Sequence, residues 1–332
     1  PAVDQLVDEI RETLSKLGTY SPMELIECFH SMDLKIHHLW APVAHLNSVA
    51  NSPKLREIYQ QALPKIVEIG LEISQNEEIY TSLKNFASSS EWKSLGGAEQ
   101  RLIEGLLLEA ELSGVGLEAS KREKFTQLSQ ELSQQETRFA NNVLDSTKAF
   151  ELVLTNQKDC EGLTESFLEM SQATYKSKHP EDSSLKWSVT LDGPSVVGFL
   201  ENSSRRDLRE QVYRAFVTRA SEKEHDNFGN ILKILQLRQQ KAKMLAYENY
   251  AQVSMAQKMA DHAGAVYDLE DKLLEASYSK GKEEFKDLEE FAAKINHPLP
   301  LCHWDIAFLA KRLEEERFGL KEEELKPYFA LP

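Results

Sequence analysis

The sequence lacks the features that mark secreted, membrane-spanning and nucleic-acid-binding proteins. Its three cysteines, Cys28, Cys160 and Cys302, are far apart and form no CxxC pair, so we expect no disulfide framework and a reducing compartment rather than secretion. No apolar run reaches the ~18 residues of a transmembrane helix, and no signal or transit peptide is visible. The 332 residues include 54 acidic and 39 basic ones, a net charge of -15. That charge repels nucleic acid and anionic lipid, so we expect neither nucleic acid nor a membrane as a partner.

The sequence also lacks a recognisable catalytic or metal-binding motif. It contains no His-Glu-x-x-His helix, no Walker loop and no Gly-x-Ser-x-Gly elbow. Histidine pairs seven residues apart occur twice, as His30 with His37 and as His38 with His45. Metal ligands on a helix prefer spacings of three or four, and we expect Pro42 to interrupt the helix between the second pair. Asp33 with His37 has the better spacing, but two ligands do not make a site.

Two further patterns resemble functional sites only formally. Gly114-x-Gly116-x-x-Ala119 matches a dinucleotide fingerprint, but it follows the helical segment "EQRLIEGLLLEAEL" instead of a strand. We therefore interpret it as a loop that joins two helices. Cys302 precedes His303, but sequence neighbours point in different directions, so no catalytic thiol is predicted.

Helical periodicity dominates the sequence. A capping box begins one helix at Ser21, because Pro22 suits the first turn and Glu24 can reach back to the cap. Two long amphipathic helices are predicted over about 121–150 and 263–295. Their apolar stripes, which we expect to face inward, are Phe125, Leu128, Leu132, Phe139 and Val143 in the first helix, and Val266, Leu269, Leu273, Phe285, Leu288 and Ala292 in the second.

Two short segments are typical of strands. "FELVLT" (150–155) and "LKWSVTLD" (185–192) are rich in apolar and β-branched residues and partly alternate. A short helix and a polar loop separate them, and the "LDGPS" stretch ends the second strand, with Pro194 in the first turn of the next helix. The sequence therefore predicts a mainly α protein with one small antiparallel β patch.

Six blocks of the sequence occur in an order that belongs to a known family. Four are "HLNSV" (45–49), "ELSGVGL" (111–117), "NNVLDSTKAF" (141–150) and "LAYENYAQVSMAQKMA" (245–260). The other two are carried by Leu191, Asp192, Pro194, Ser195, Leu208, Arg209, Val212, Tyr213, Arg214, Ala215, Thr218 and Arg219, and by Trp304, Asp305, Phe308, Arg312, Leu313, Glu323, Glu324, Leu325, Pro327, Tyr328 and Phe329. Together they cover essentially the whole chain, which resembles the family of thimet oligopeptidase and oligopeptidase A. The departures at Val196, Ala246 and Ala330 touch no chemistry.

The resemblance implies a fold in which two mostly helical halves clasp a deep channel that admits short peptides. It assigns residues 1–150 to an N-terminal helical half-shell, and residues 151–332 to the strand patch and the first helices of a metallopeptidase catalytic domain. In the family, the zinc site and the residues that stabilise the oxyanion lie well beyond the "PYF" block. We therefore predict no catalytic and no metal-binding residue in this chain, and leave its substrate-binding residues unassigned. One zinc ion is expected only in the full-length family member.

On this interpretation the chain is the N-terminal part of a zinc-dependent oligopeptidase that degrades short peptides, such as cleaved targeting or signal peptides. Its partners would be short peptides and the missing C-terminal half, in the cytoplasm or in the matrix of a mitochondrion or plastid. The last residues, "KPYFALP", have no polar tail, so we expect a chain that breaks off before the zinc motif and is incomplete after about residue 260. The alternative is a naturally short, catalytically inactive relative that acts as a peptide-binding or protein-interaction module.

Overall fold

The computed structural model describes residues 2–17, 20–260 and 262–319, together with Glu324 and Tyr328. Within these residues the chain has thirteen α-helices and one two-stranded sheet, which confirms the mainly α prediction. The helices are α1 (Ala2–Leu14), α2 (Pro22–Val49), α3 (Pro53–Ser74), α4 (Glu77–Ala87), α5 (Gly97–Leu112), α6 (Ala119–Ala149), α7 (Glu165–Lys178), α8 (Gly193–Asn202), α9 (Arg206–Val217), α10 (Phe228–Met244), α11 (Tyr250–Met255), α12 (Ala263–Lys294) and α13 (His303–Phe318). The strands are β1 (Leu152–Leu154) and β2 (Trp187–Val189). The chain forms two units: the first comprises residues 1–139 and 229–267, and the second comprises residues 140–228 and 268–332.

The first unit contains α1, α2 and α3. The capping box predicted for α2 is present: the Ser21 amide donates to Glu24 Oε2 at 2.7 Å, and the Glu24 amide donates to Ser21 Oγ at 3.4 Å. These bonds satisfy amides that the start of a helix leaves without partners, and α2 begins at Pro22. Apolar residues at helical spacing then bring the three helices together around Ile10 and Ile69, which are almost fully buried.

The prediction that Pro42 interrupts a helix is wrong. α2 continues from Pro22 to Val49 with Pro42 inside it. A proline in a helix removes one backbone hydrogen bond and crowds the preceding turn, which costs about 3 kcal/mol. Packing just before it opposes that cost, because Trp40 stacks on Tyr59 of α3 with 4.7 Å between ring centroids. Tertiary contacts with α3 therefore keep α2 continuous.

The second unit contains the sheet. β1 and β2 lie within the two predicted segments and pair antiparallel, with Val153 opposite Ser188 at the centre of the register. All three residues of β2 are buried, and Val189 packs in one core with Phe167 of α7 and Phe199 of α8. The small sheet therefore forms one wall of the core that holds α7 and α8 together.

A buried carboxylate joins α9 to α13 in the second unit. Asp305 has no exposed side-chain surface, and it accepts hydrogen bonds from Arg206 Nε and Nη2 at 3.0 and 2.7 Å. It also accepts from Arg209 Nη2 at 2.9 Å and from the Cys302 amide at 2.9 Å. The last of these bonds makes Asp305 part of the capping box that begins α13. One carboxylate thus caps its own helix and fixes a second helix against it.

Arg209 completes this cluster, because its guanidinium is as buried as the carboxylate. Its other donors reach the carbonyl oxygens of Trp304 and Ser203 at 3.0 and 2.7 Å. Burial alone would raise the pKa of Asp305, but the hydrogen bonds from Arg206 and from the Cys302 amide outweigh it and hold that pKa well below its usual range. The pair therefore stays ionised inside the protein, with its donors and acceptors satisfied.

The predicted inward stripe of α12 is wrong for three of its residues. The last turns of α12 are packed, since Phe291 and Ala292 lie in one cluster with residues of α13. Leu269, Leu273 and Phe285, however, keep 58%, 60% and 43% of their surface exposed. An apolar stripe marks a face that suits a partner, but it does not supply one, and the described neighbours cover only the C-terminal end of this helix. Residues 267–286 are exposed throughout.

The structure confirms some of the other predicted core positions and contradicts one. In α6, Phe125, Leu128 and Leu132 are buried as predicted, whereas Phe139 keeps 38% of its surface exposed. In the final "KPYFALP" segment, Phe329 lies outside the described residues, and Tyr328 is 82% exposed. None of the described helices combines the length and the apolar character that a membrane crossing requires.

The buried cluster gives a prediction for stability. Replacing Asp305 by Asn leaves two guanidinium groups without their counter-charge, so the free energy of unfolding should fall by about 3–5 kcal/mol. Asp207→Asn is the matched control, because Asp207 accepts from Arg205 at 2.8 and 3.0 Å with 64% of its side chain exposed. The control should change stability by less than about 1 kcal/mol. Chemical denaturation followed by circular dichroism measures both variants.

The same cluster predicts a pH dependence. The pKa of Asp305 is lower in the folded protein than the ~3.9 of an unfolded aspartate. The stabilisation is therefore fully present above about pH 4 and is lost as the pH falls through the folded value. Denaturation curves taken between neutral and acidic pH should converge for the wild type and Asp305→Asn. A constant difference down to the lowest pH would contradict the ionised pair.

Candidate binding sites

The three cysteines are free thiols, and each has its own surroundings. Cys160 is buried, and burial raises the pKa of its thiol to about 11. Burial also raises the pKa of Cys28. Cys302 lies at the start of α13 with its Sγ 3.5 Å from Arg206 Nη2, while the ring of His303 stacks on another element, 5.8 Å from the Tyr213 ring. Burial therefore disfavours the reactive thiolate form of Cys28 and Cys160.

The histidines considered as metal ligands all lie on the exposed surface of α2. His37 and His38 are neighbours, with 6.4 Å between ring centroids, but their rings are tilted and no acidic side chain joins them into a cluster. Over residues 2–17, 20–260 and 262–319, no three His, Cys, Asp or Glu side chains come close enough to bind one metal ion. The described donors thus do not fit the zinc that the family resemblance implies.

The Gly114-x-Gly116-x-x-Ala119 segment is a helix-to-helix loop, as its context indicated. α5 ends in a Schellman motif, in which the Val115 amide donates to Ala110 O and the Gly114 amide to Glu111 O, both at 3.0 Å. Gly114 has a φ of +87°, and a Cβ there would lie 2.8 Å from Leu117 Cδ1. The glycine is needed to turn the chain, and no strand precedes it to form a dinucleotide site.

The first unit carries a groove of about 630 Å³ between α2, α3 and α5, which we call the acidic groove. Its apolar lining comes from all three helices: Ile26, Phe29, Ile36, Ile73, Leu102 and Leu106. Its polar lining includes Glu27, His30, Asp33 and Glu109. Spacings of three and four bring the α2 residues onto one face of that helix, where apolar and acidic side chains alternate. The groove can therefore offer an apolar surface and negative charge to the same ligand.

The carboxylates of this groove influence one another. Partial burial and the nearby Asp33 carboxylate raise the pKa of Glu109 above its usual value. Two acidic groups that share an apolar wall repel each other, and a cation between them would relieve that repulsion. Among the residues that the structure describes, no lysine or arginine lines the groove.

The second unit has a cavity of about 800 Å³ between α7, α8 and α13. Its lining holds charges of both signs, including Glu201, Lys311, Arg312 and Glu315. Arg312 is already engaged, because it donates to Glu315 Oε2 at 2.9 Å and to the Asn202 carbonyl at 3.1 Å. Arg312 therefore stabilises the wall of the cavity and is not free to bind a ligand.

The sequence predicts neither cavity. Of the residues that line the acidic groove, only His30 and Asp33 stood out in the sequence, as candidate metal ligands, because the groove joins residues more than seventy positions apart in the chain. The one available signal was the face of α2, where Ile26, Phe29, Asp33 and Ile36 mix apolar and acidic side chains. In the sequence this pattern is the same as that of an ordinary exposed helix surface. The groove forms only when α3 and α5 pack beside α2.

Comparison with known proteins gives two family matches. Residues 199–332 match the model of peptidase family M3, and residues 3–122 match the model of the N-terminal domain of neurolysin and thimet oligopeptidase. The two models together span most of the chain and occur in the order that the sequence blocks predicted.

The curated relatives agree with these models. The chain is 38% identical, over its whole length, to a probable cytosolic oligopeptidase A and to a chloroplastic and mitochondrial organellar oligopeptidase A, both of Arabidopsis thaliana, covering 48% and 43% of them. It is 31% identical to oligopeptidase A of Escherichia coli over 99% of the chain and 49% of that protein. The chain thus spans about half the length of the curated relatives it matches.

The glycine loop gives a prediction with a matched control. Gly114→Ala should lower the free energy of unfolding by about 1–3 kcal/mol, because the residue has a positive φ and its Cβ would meet Leu117. Gly116→Ala, two residues on, should change stability by less than about 0.5 kcal/mol, since a Cβ there has no neighbour within 4 Å. Chemical denaturation of both variants measures the difference. Equal effects would contradict the assigned turn.

Proposed function

The chain belongs to the family of thimet oligopeptidase and oligopeptidase A, and from this we propose that it is the N-terminal part of a zinc-dependent oligopeptidase. Its role is to wall the channel in which the enzyme degrades short peptides. Residues 1–150 form a helical half-shell, and residues 151–332 form the strand patch and the first helices of the catalytic domain. The zinc ligands and the catalytic residues lie in the part of the relatives' length that this chain does not span.

Two observations together support this proposal: the coverage of the relatives and the absence of a metal-binding group among the described residues. The chain aligns over its whole length with oligopeptidase A relatives, of which it spans about half. Its described residues, however, bring no three metal-binding side chains together, whereas catalytic zinc needs three protein ligands. The contribution that remains for this chain is to bind and enclose the peptide. The acidic groove supports this contribution, because its volume falls within the ~300–1,000 Å³ of small-ligand pockets.

The zinc-bearing remainder of the enzyme is the proposed partner of this chain, besides short peptides. Support comes from α12, on which Leu273, Leu274 and Tyr278 expose 57–60% of their surface. A cluster of this kind on a soluble helix is typical of a face that another element covers. The proposed compartment is the cytoplasm or an organellar matrix, in keeping with the cytosolic and the chloroplastic and mitochondrial relatives.

The proposal predicts a chain that binds peptides without cleaving them. After incubation with zinc and gel filtration, the purified chain should carry no zinc above background. It should release no fluorescence from a quenched short peptide, and the same peptide, labelled and intact, should bind saturably in fluorescence anisotropy. Oligopeptidase A of Escherichia coli, assayed in parallel, is the positive control for turnover.

Two outcomes would contradict the proposal. Chelator-sensitive hydrolysis by the chain alone would mean that it holds its own catalytic site. The absence of both cleavage and peptide binding would remove the role in enclosing a substrate. Restored hydrolysis on adding the remainder of the enzyme would separate the proposed part of a peptidase from an inactive binding module.

The exposed part of α12 predicts the order of proteolysis. A protease at limiting concentration should cut first within residues 263–286, because a helix with one uncovered apolar face opens locally at low free energy. The helices of the first unit, whose stripes are buried, should stay intact longer. Mass spectrometry of the early fragments identifies the sites. First cuts between residues 2 and 112 would contradict this order.

A further inference from the structure

The described carboxylates of the acidic groove have no basic partner, whereas several other carboxylates of the first unit do. Several acidic side chains elsewhere on α1 and α3 have basic partners on a neighbouring helix. Glu9 lies 3.7 Å from Lys35, and Glu68 and Glu72 contact Arg11 at 3.3 and 2.5 Å. These helices thus provide basic partners for some of the carboxylates on their surfaces.

Within the groove this pairing stops. Among the described residues, the carboxylates of Glu27, Asp33 and Glu109 have no hydrogen bond and no ion pair, although they border an apolar surface. All three side chains are exposed, and the like charges of Asp33 and Glu109 repel each other. A ligand with positive charge would relieve that repulsion, whereas a single metal ion does not fit, because these side chains do not come together as a metal-binding group.

The apolar lining decides what kind of cation fits. Ile73 is buried and Leu106 half-buried at the groove, and α3 passes it at Gly70, where a Cβ would meet nothing within 4 Å. The open space over Gly70 leaves room for ligand side chains against these walls. A small hydrophilic cation would leave this surface in water, and a neutral apolar ligand would leave the carboxylates unpaired.

We propose that the acidic groove binds a peptide segment that combines apolar side chains with lysine or arginine. The apolar side chains lie against α3 and α5, and the basic groups pair with Glu27, Asp33 and Glu109. This inference rests on the proposed function in taking the ligand to be a peptide. It adds that the preferred peptides carry positive charge.

The test compares two labelled peptides with the same apolar residues, one carrying lysines and the other glutamates at the intervening positions. Fluorescence anisotropy with the full chain should give a Kd at least about tenfold lower for the basic peptide, and added salt should weaken that binding. Glu109→Gln should weaken it about two- to fivefold, the range of one partly exposed charge pair. Glu104→Gln, an exposed residue of α5 outside the groove, makes the same chemical change and should leave the Kd unaltered.

A second pair of variants tests the space instead of the charge. Gly70→Leu fills the groove and should weaken binding of the basic peptide by at least about tenfold, while Gly105→Leu on α5 should not. A Cβ at either glycine meets no neighbour within 4 Å. Circular dichroism and denaturation establish that each variant is folded, and the conservative Glu109→Gln keeps the test valid if a leucine variant unfolds.

Three results would overturn the inference. Binding that ignores peptide charge and is unaffected by Glu109→Gln and Gly70→Leu would place the peptide elsewhere and leave the proposed function intact. Failure of every peptide to bind would overturn both the inference and the proposed function. Self-association of the chain that Gly70→Leu abolishes would show that a second copy occupies the groove.

Discussion

A carboxylate without access to water must be neutralised where it lies, and in this protein that requirement joins the second unit together. Asp305 has no exposed surface, so Arg206, Arg209 and the Cys302 amide must all be in place around it. Meeting the requirement fixes the start of α13 and the position of α9, and Arg209 also binds the carbonyl oxygens of Ser203 and Trp304. Asp305 and Arg209 also belong to two sequence blocks that carry the family resemblance. The blocks lie almost a hundred residues apart in the chain, and the structure shows the contact that makes each one depend on the other.

The parts of the fold that the sequence predicts well are those whose causes are local. A capping box, a Schellman glycine and a β-branched run each involve only a few neighbouring residues, and Ser21, Gly114 and the two strands appear where they are expected. The errors have tertiary causes. Pro42 weakens a helix locally, yet the packing of Trp40 on Tyr59 keeps α2 continuous. The apolar stripe of α12 shows which face of the helix suits a neighbour. Whether a neighbour covers Leu273 depends on the rest of the fold and cannot be seen in the stripe.

The candidate site is still harder to predict, because it exists only after three helices have packed. Glu109 and Asp33 are unremarkable surface carboxylates in the sequence, and only their placement beside Ile73 and Leu106 gives them a shared environment. The family resemblance supplies the reaction class, since whole blocks match, and we propose that the catalytic residues lie in the part of the relatives that this chain does not span. It provides no information about which surfaces of a half-length chain meet the substrate. Those surfaces have to be found from burial, shape and charge.

The two groups of carboxylates show how charge can separate structural from binding roles. Around Asp305 the carboxylate is paired with the guanidinium groups of Arg206 and Arg209, so these three charges serve the fold. Among the described residues, the carboxylates of the acidic groove lack such partners, although Arg11 and Lys35 show that neighbouring helices can provide them. The like charges of Asp33 and Glu109 repel each other in the unbound protein, and a ligand of opposite charge would relieve that repulsion. The negative charge of Glu109 is therefore available to pair with a ligand, in a chain whose described residues hold no metal site of their own.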